Sequence, residues 1–370
     1  FLTFYKLSQS LNAANKWSFY RMKYSFLLIL LFPVFVFSQN NYSYKNLVME
    51  GGGVRGLAYP GALNVLEQKG ILKNIENVAG SSAGAIAGLI VSLGYSSNEI
   101  DSILQSLKIG EFNDGKFFFG KIRRIKNEYG MYKGDAFEAW LTHIIEFKTG
   151  NADLTFNDLH QMHLADNKFK DFYCTGTNIT QQRLEIFSWE TWPGMKLKTA
   201  VRISSNIPFY FTPVSIDSLG NEVSLKDTLT GYDLYVDGGM LCNYPINMFD
   251  SCATGGDPLT CENVIYNPQT IGLKLERGEQ IKEFENGKTA IAPYHIRSMK
   301  QYSSAVMNLM MESINRKSQD LSNEKGRTIY ISYGDISGKP RTISAKERKT
   351  LYDNGKEAAN DFFNSFTTKN

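Results

Sequence analysis

Three short stretches hold residues that could do chemistry. The first, "LVMEGGGVRG" at residues 47–56, contains Gly51-x-Gly53-x-x-Gly56. Glycines at that spacing can wrap a dinucleotide pyrophosphate, provided an acid closes the next strand about 20 residues on to hold the ribose. The next strand, "NVAG", ends in Gly80-Ser81, and the nearest acid, Glu76, precedes it. That requirement fails, so NAD is the lesser reading and the glycines need another anion. The second stretch, "GSSAG" at 80–84, is a G-x-S-x-G pattern. Here Gly80, Ser81, Ala83 and Gly84 leave the backbone room to turn sharply and lift the Ser82 hydroxyl out of a sheet. The helix behind it brings its positive end to any negative charge that develops there. The third, "YDLYVDGG" at 232–239, ends on Asp237, Gly238 and Gly239.

A serine hydroxyl at its ordinary pKa needs a base to become a nucleophile. Four histidines exist, His143, His160, His163 and His295, and the chain order allows a Ser82–Asp237–His295 triad of the esterase kind. His295 lies in "APYHIRSMK" at the start of a helical pattern, without a strand-end loop around it. Asp237 is better placed, because the alternation before it buries the strand and the two glycines let the chain turn against another backbone. The residues therefore favour a Ser82–Asp237 pair, with the triad as the alternative.

Short apolar runs alternating with helical patterns must position these groups, which predicts an α/β architecture. "KNLVM" reads as a buried strand. The glycine loop opens a helix that Gly70 stops, and "NVAG" turns straight into the small-residue helix "AGAIAGLIVSLG". Ser96-x-x-Glu99 is a capping box for a helix running to about Leu107. "KDFYCTGTNI" and "LEIFSW" read as paired strands, "TIGLKL" and "RTIYISYGDIS" as further strands. Residues 296–317 form an amphipathic helix, and "AKERKTLYDNGKEAANDFF" a closing one. There is no internal repeat and no linker long enough to separate domains.

Composition sets the outer limits. Of 370 residues 42% are hydrophobic and 21% charged, which is globular rather than disordered. The net charge of +3 comes from the N-terminus: residues 1–38 hold Lys6, Lys16, Arg21, Lys23 and no acid, leaving 36 basic against 37 acidic residues beyond. Nothing there argues for nucleic acid. From Met22 the sequence reads "MKYSFLLILLFPVFVFSQN", with a basic start, an apolar run too short for a span of roughly 20 residues, and small side chains at Val36 and Ser38. Residues 22–38 are expected to be a signal peptide cleaved after Ser38, the alternative being a retained N-terminal anchor, residues 1–21 upstream sequence, and the protein exported to the periplasm, the outer membrane or the medium. Export makes disulfides relevant: Cys252 and Cys261 bracket "CATGGDPLTC" and can close that loop, the alternative being four unpaired thiols. No C-x-x-C or histidine cluster suggests a metal. In "KFFFGKIRRIK", residues 116–126, Phe117, Phe118 and Phe119 stand beside Lys121, Arg123, Arg124 and Lys126. Such a mixture suits a lipid headgroup boundary, or a core-facing hairpin with solvated charges.

The ordered blocks "GGGVRG", "GSSAG" and "DGGMLCNYP" make the chain resemble the patatin-like phospholipase family over roughly residues 46–363, with softer matches at "RISSNIPFYFTP" and the closing helix. The resemblance implies a three-layer α/β/α sandwich with a mainly parallel central sheet. Residues 46–250 would be the catalytic core, and 251–370 would complete the same domain. It implies a Ser82–Asp237 dyad that cleaves fatty-acyl esters of phospholipid or another lipid, without metal or cofactor, at a membrane surface reached peripherally. It also makes the glycine loop, Gly51, Gly52, Gly53, Val54, Arg55 and Gly56, an oxyanion hole. Backbone N–H groups of Gly52, Gly53 and Val54 can converge on one oxygen, and Arg55 either fixes the loop or adds positive potential. A catalytically weak lipid-binding protein is the reading from another class. "IPFYFTP" is a candidate lining for an acyl channel.

Overall fold

The computed structural model describes residues 43–115, 118–225, 231–261, 263–288, 290–315 and 324–367. The expected signal peptide at 22–38, the residues before it and Phe117 lie outside that set. Strand β1 (Asn46–Met49) leads through a 3-10 turn, Gly53–Ala58, into helix α1 (Tyr59–Gln68). Strand β2 (Asn77–Gly80) runs directly into α2 (Ala83–Ser92). Helix α3 (Ser97–Ser106) starts at a reciprocal capping box, with the Ser96 hydroxyl accepting from the Glu99 N–H and the Glu99 carboxylate from the Ser96 N–H.

The aromatic–basic stretch is a helix, α4 (Phe118–Glu128), and not a hairpin. Its charges sit at helical spacing, where Arg124 pairs with Glu128 one turn on at 3.7 Å. Then come β3 (Gly130–Tyr132), α5 (Asp135–Thr149), α6 (Phe156–Ala165), and the antiparallel pair β4 (Asp171–Asn178) and β5 (Arg183–Phe187). Helix α7 (Leu197–Ser204) precedes β6 (Phe209–Phe211), β7 (Val214–Ile216) and β8 (Asp233–Asp237). A small ribbon, β9 (Ser251–Cys252) with β10 (Val264–Ile265), leads to β11 (Thr270–Glu276) and α8 (Gly278–Glu285). Helix α9 (Met299–Asn315) starts three residues later than its hydrophobic pattern, because the Ser298 hydroxyl caps it by accepting from the Gln301 N–H. Strand β12 (Thr328–Ser332) and helix α10 (Ala345–Thr367) end the described chain.

The central sheet runs β12-β11-β1-β2-β4-β8-β7, with β5 beside β4. From β12 to β4 every pairing is parallel; β5, β8 and β7 join antiparallel. Burial on both faces explains the near-continuous apolar runs of β1 and β2. Helix α2 lies on the face carrying Met49, Val78 and Phe172. On the other face, register-matched Val48, Ala79 and Tyr173 pack with Tyr244 and Ile246 of an irregular segment, and further out Phe284 of α8 meets Tyr330 at 5.2 Å. Fully buried Val48, Met49, Val78, Phe172 and Ile246 each contribute about 1.5–3 kcal/mol.

One feature of β4 positions the site. Its residues Gly176–Asn178 pair with both β5 and β8, and Cys174 pairs with both β5 and β2. Strands β2 and β8 therefore share one edge of β4, opposite β5. They run in opposite directions, so their C-terminal ends meet: Gly80 stands across from Cys174 and Asp237 across from Gly176, two residues away.

Candidate active site

Ser82 follows the end of β2 by two residues and caps α2. Its φ of +50° and ψ of −119° are a strained elbow for a residue with a side chain. The elbow is over-determined: the Ser204 hydroxyl accepts from the Ser82 N–H at 3.1 Å, and the Ser205 hydroxyl donates to the Ser82 carbonyl at 3.2 Å. The Ser82 hydroxyl donates to one Asp237 oxygen at 2.7 Å, and the Gly239 N–H donates to the other at 2.8 Å. Both residues are buried. Burial pushes the Asp237 carboxyl up to about 6, against the opposing pull of the Ser82 and Gly239 hydrogen bonds. The strand end is itself held: the Asp237 N–H donates to the Asn206 carbonyl at 3.0 Å, and the Thr177 hydroxyl to the Asp237 carbonyl at 2.9 Å.

The glycine loop abuts this pair. A Cβ on Gly51 would sit 3.0 Å from the Ser82 Cβ, and Gly53, Val54 and Gly56 line the same cavity as Ser82. Not every N–H expected to face an oxyanion is available. That of Val54 donates to the Gly338 carbonyl at 3.3 Å and that of Gly51 to the Asn243 carbonyl at 2.9 Å. This corrects the expectation for Val54: the donors left without an acceptor among the described residues are Gly52 and Gly53. Gly53 takes φ +57° with the Gly338 carbonyl pressed against the place of a Cβ, so only glycine fits. Arg55 fixes the loop. Its Nε donates to the Ile336 carbonyl at 2.8 Å and its guanidinium lies 3.5 Å above the Tyr333 ring, which ties residues 333–338 to the glycines.

Behind the loop, the Asn243 amide donates to the Gly51 carbonyl at 3.0 Å and to Glu50 at 3.3 Å, and Glu50 also accepts from the Leu275 N–H at 2.8 Å. Burial pushes the Glu50 carboxyl up to about 8, partly countered by Lys274.

A narrow apolar cavity opens on Ser82. Its walls are Leu104 and Leu107 at the end of α3, Phe112, Phe137 of α5, and Ile207 and Phe211 around β6. Of the stretch expected to line a channel, Ile207 and Phe211 do so, whereas Phe209 is 74% exposed.

A family model for patatin-like phospholipases matches residues 47–250, which contain the glycine loop, Ser82 and Asp237. The chain belongs to the patatin-like phospholipase family. It is 32% identical over 207 residues to the uncharacterised protein R571 of Acanthamoeba polyphaga mimivirus, covering 56% of this chain and 61% of that protein. It is 29% identical over 206 residues to the probable lipid hydrolase 463L of Invertebrate iridescent virus 6, covering 55% of this chain and 63% of that protein. The alignments thus span under two thirds of these relatives. The fold is similar to that of VipD from Legionella pneumophila, with a TM-score of 0.55 at 18% identity over 87% of this chain and 67% of VipD.

The triad alternative for this patatin-like site is not assembled. Asp237 takes its hydrogen bonds from Ser82 and Gly239, and His295 is exposed in the connection before α9 without a hydrogen bond to it. His160 is held by Asp171, at 2.9 Å, at the opposite end of β4. Cys252 and Cys261 are bonded across their loop, while Cys174 and Cys242 are free thiols that burial keeps protonated. The side chains of Phe118 and Phe119 lie outside the described set. No group of three or more metal-ligating side chains occurs among the described residues.

Sequence reasoning missed Ser204, Ser205 and Asn206, the three residues that hold the elbow and the aspartate strand in place. They lie in the soft match "RISSNIPFYFTP", where the polar run "SSN" interrupts an apolar pattern, but that match assigned them no role.

Proposed function

We propose that the protein hydrolyses fatty-acyl esters of lipids through an acyl-serine intermediate, as a serine carboxylic-ester hydrolase of phospholipase A type. The observation that carries this is the 2.7 Å hydrogen bond from Ser82 to a buried carboxylate at the end of an apolar cavity. Asp237 takes the hydroxyl proton as the Ser82 oxygen attacks the ester carbonyl. The Gly52 and Gly53 N–H groups receive the oxyanion, aided by the N-terminal end of α2. Collapse breaks the ester bond, and the proton held by Asp237 leaves with the alcohol. Asp237 then takes a proton from a water molecule that attacks the acyl-serine, and the same steps in reverse free the fatty acid and restore Ser82. The cavity walls accept an acyl chain and exclude water from the oxyanion.

We further propose that the protein is exported from the cytoplasm. The signal-peptide layout of residues 22–38 and the Cys252–Cys261 bond support this, since such bonds persist in oxidising compartments.

Acyl release from phospholipid vesicles and from a soluble short-chain ester tests the reading. Ser82→Ala and Asp237→Asn are each expected to lower both activities by about 10³-fold or more while the protein stays folded. Turnover of the soluble ester alone would make it an esterase. Vesicle binding with no acyl release by the unmutated protein would leave a lipid-binding protein.

A further inference from the structure

Helix α4 and the ribbon that follows it carry apolar side chains that the fold does not cover. Ile122 and Ile125 are 53% and 43% exposed, and Tyr129, one residue past the helix, is 53% exposed. A spacing of three puts Ile122 and Ile125 on one side of the helix, and Tyr129 follows its end. Strand β3 then pairs with β6 in the register Gly130↔Phe209, which brings the exposed Phe209 to the Tyr129 end of the stripe.

Two further observations say what would cover it. Arg123 and Lys126 flank the stripe, are exposed, and make no ion pair with a described residue, unlike Arg124, which Glu128 and the Met131 carbonyl hold. The stripe also lies near the cavity: Phe209 stands two residues, ~7 Å, along β6 from Phe211 in the cavity wall. Tyr129 and Phe209 both occupy the left-handed backbone region, with φ of +62° and +65°, which is strained for aromatic residues, and both are exposed. Aromatic and aliphatic side chains beside uncommitted basic ones match the headgroup boundary of an anionic bilayer.

We infer that Ile122, Ile125, Tyr129 and Phe209, with Arg123 and Lys126, form a docking surface for anionic phospholipid membrane that sets the cavity mouth against the lipid. This rests on the lipid-hydrolase reading for its purpose. Its physical content, binding to a lipid surface, can be measured without catalysis.

The experiment uses the Ser82→Ala full-length chain, which leaves vesicles intact, in co-sedimentation with phosphatidylcholine vesicles with and without phosphatidylglycerol. The parent is expected to bind the phosphatidylglycerol vesicles more tightly, less so at high salt. Arg123→Glu/Lys126→Glu should weaken that binding by about tenfold or more. Phe209→Asn should weaken it by about tenfold while melting no lower than the parent, because asparagine tolerates the left-handed conformation. On the Ser82 background, the same substitutions should cut turnover of vesicles and spare kcat/KM on a soluble ester.

Equal binding by parent and variants, or no preference for phosphatidylglycerol, overturns the docking surface. A dimer that the same variants dissolve, with no vesicle binding, overturns it in favour of a second copy of the chain. Vesicle binding lost in the variants, with no acyl release by the unmutated protein on any substrate, sinks the hydrolase reading and leaves the surface standing.

Discussion

Asp237 must be ionised to take a proton from Ser82, and its burial opposes that ionisation. With the carboxyl at about 6, kcat/KM is expected to rise as pH climbs through about 6 and to level off above it. A rate profile flat from pH 5 to pH 8, roughly one unit below to two above that value, would remove Asp237 as the base. The same burial has a cost in stability. A folded pKa above the unfolded value of 3.8 means that the native state holds the proton more tightly. The stabilisation from this proton is fully present below 3.8 and is lost as pH rises through about 6. Asp237→Asn should therefore be more stable than the unmutated protein at pH 7 to 8, by about 1–3 kcal/mol, while losing about 10³-fold in activity. Denaturant melts of the two proteins at pH 4 and pH 8 check this, since the gain should shrink at the lower pH.

At the scale of elements, the site exists because two strands end against each other on one edge of β4. Neither β2 nor β8 reaches past the other, so the turn after each projects its first side chains into the same space. The glycine loop is the third party, and its conformation depends on Gly53 lying under the 333–338 segment. Gly53→Ala forces a Cβ into the Gly338 carbonyl and away from φ +57°. It should lower kcat by about 10²-fold, the worth of one oxyanion donor, and change KM little. Steady-state kinetics on a soluble ester separate the two. A rise in KM with kcat intact would mean that the loop shapes the cavity and does not stabilise the oxyanion.

For the whole molecule, the segment matched by the family model ends at Asp250, yet two strands beyond it complete the sheet. Arg327, just before β12, joins the parts. It donates to both carboxylate oxygens of Asp250, at 2.6 and 2.7 Å, and to Asn247 at 2.8 Å, all buried. Arg327→Ala would strand the Asp250 carboxylate in the interior and should cost about 3–5 kcal/mol. A melt showing less than ~1 kcal/mol would mean that water reaches the pair.

The sequence by itself determined the local geometry. An elbow around Ser82, a loop that only glycines allow, the capping box at Ser96 and the strand that stops at Asp237 are all set by residues within a few positions of one another. Steric limits on φ and ψ and side-chain hydrogen bonds to neighbouring N–H groups act at that range. Tertiary structure decided which of those local features meet. Ser82 and Asp237 lie 155 residues apart, and nothing local says that β8 joins the sheet antiparallel on the β2 edge of β4. It also decided that Val54 gives its N–H to Gly338, that Ser204 and Ser205 clasp the elbow, and that Phe209 turns outward while Phe211 turns in. Each of these depends on strand register and packing between distant segments. Such contacts are selected by the burial of the whole core, and a local pattern of residue types cannot encode them.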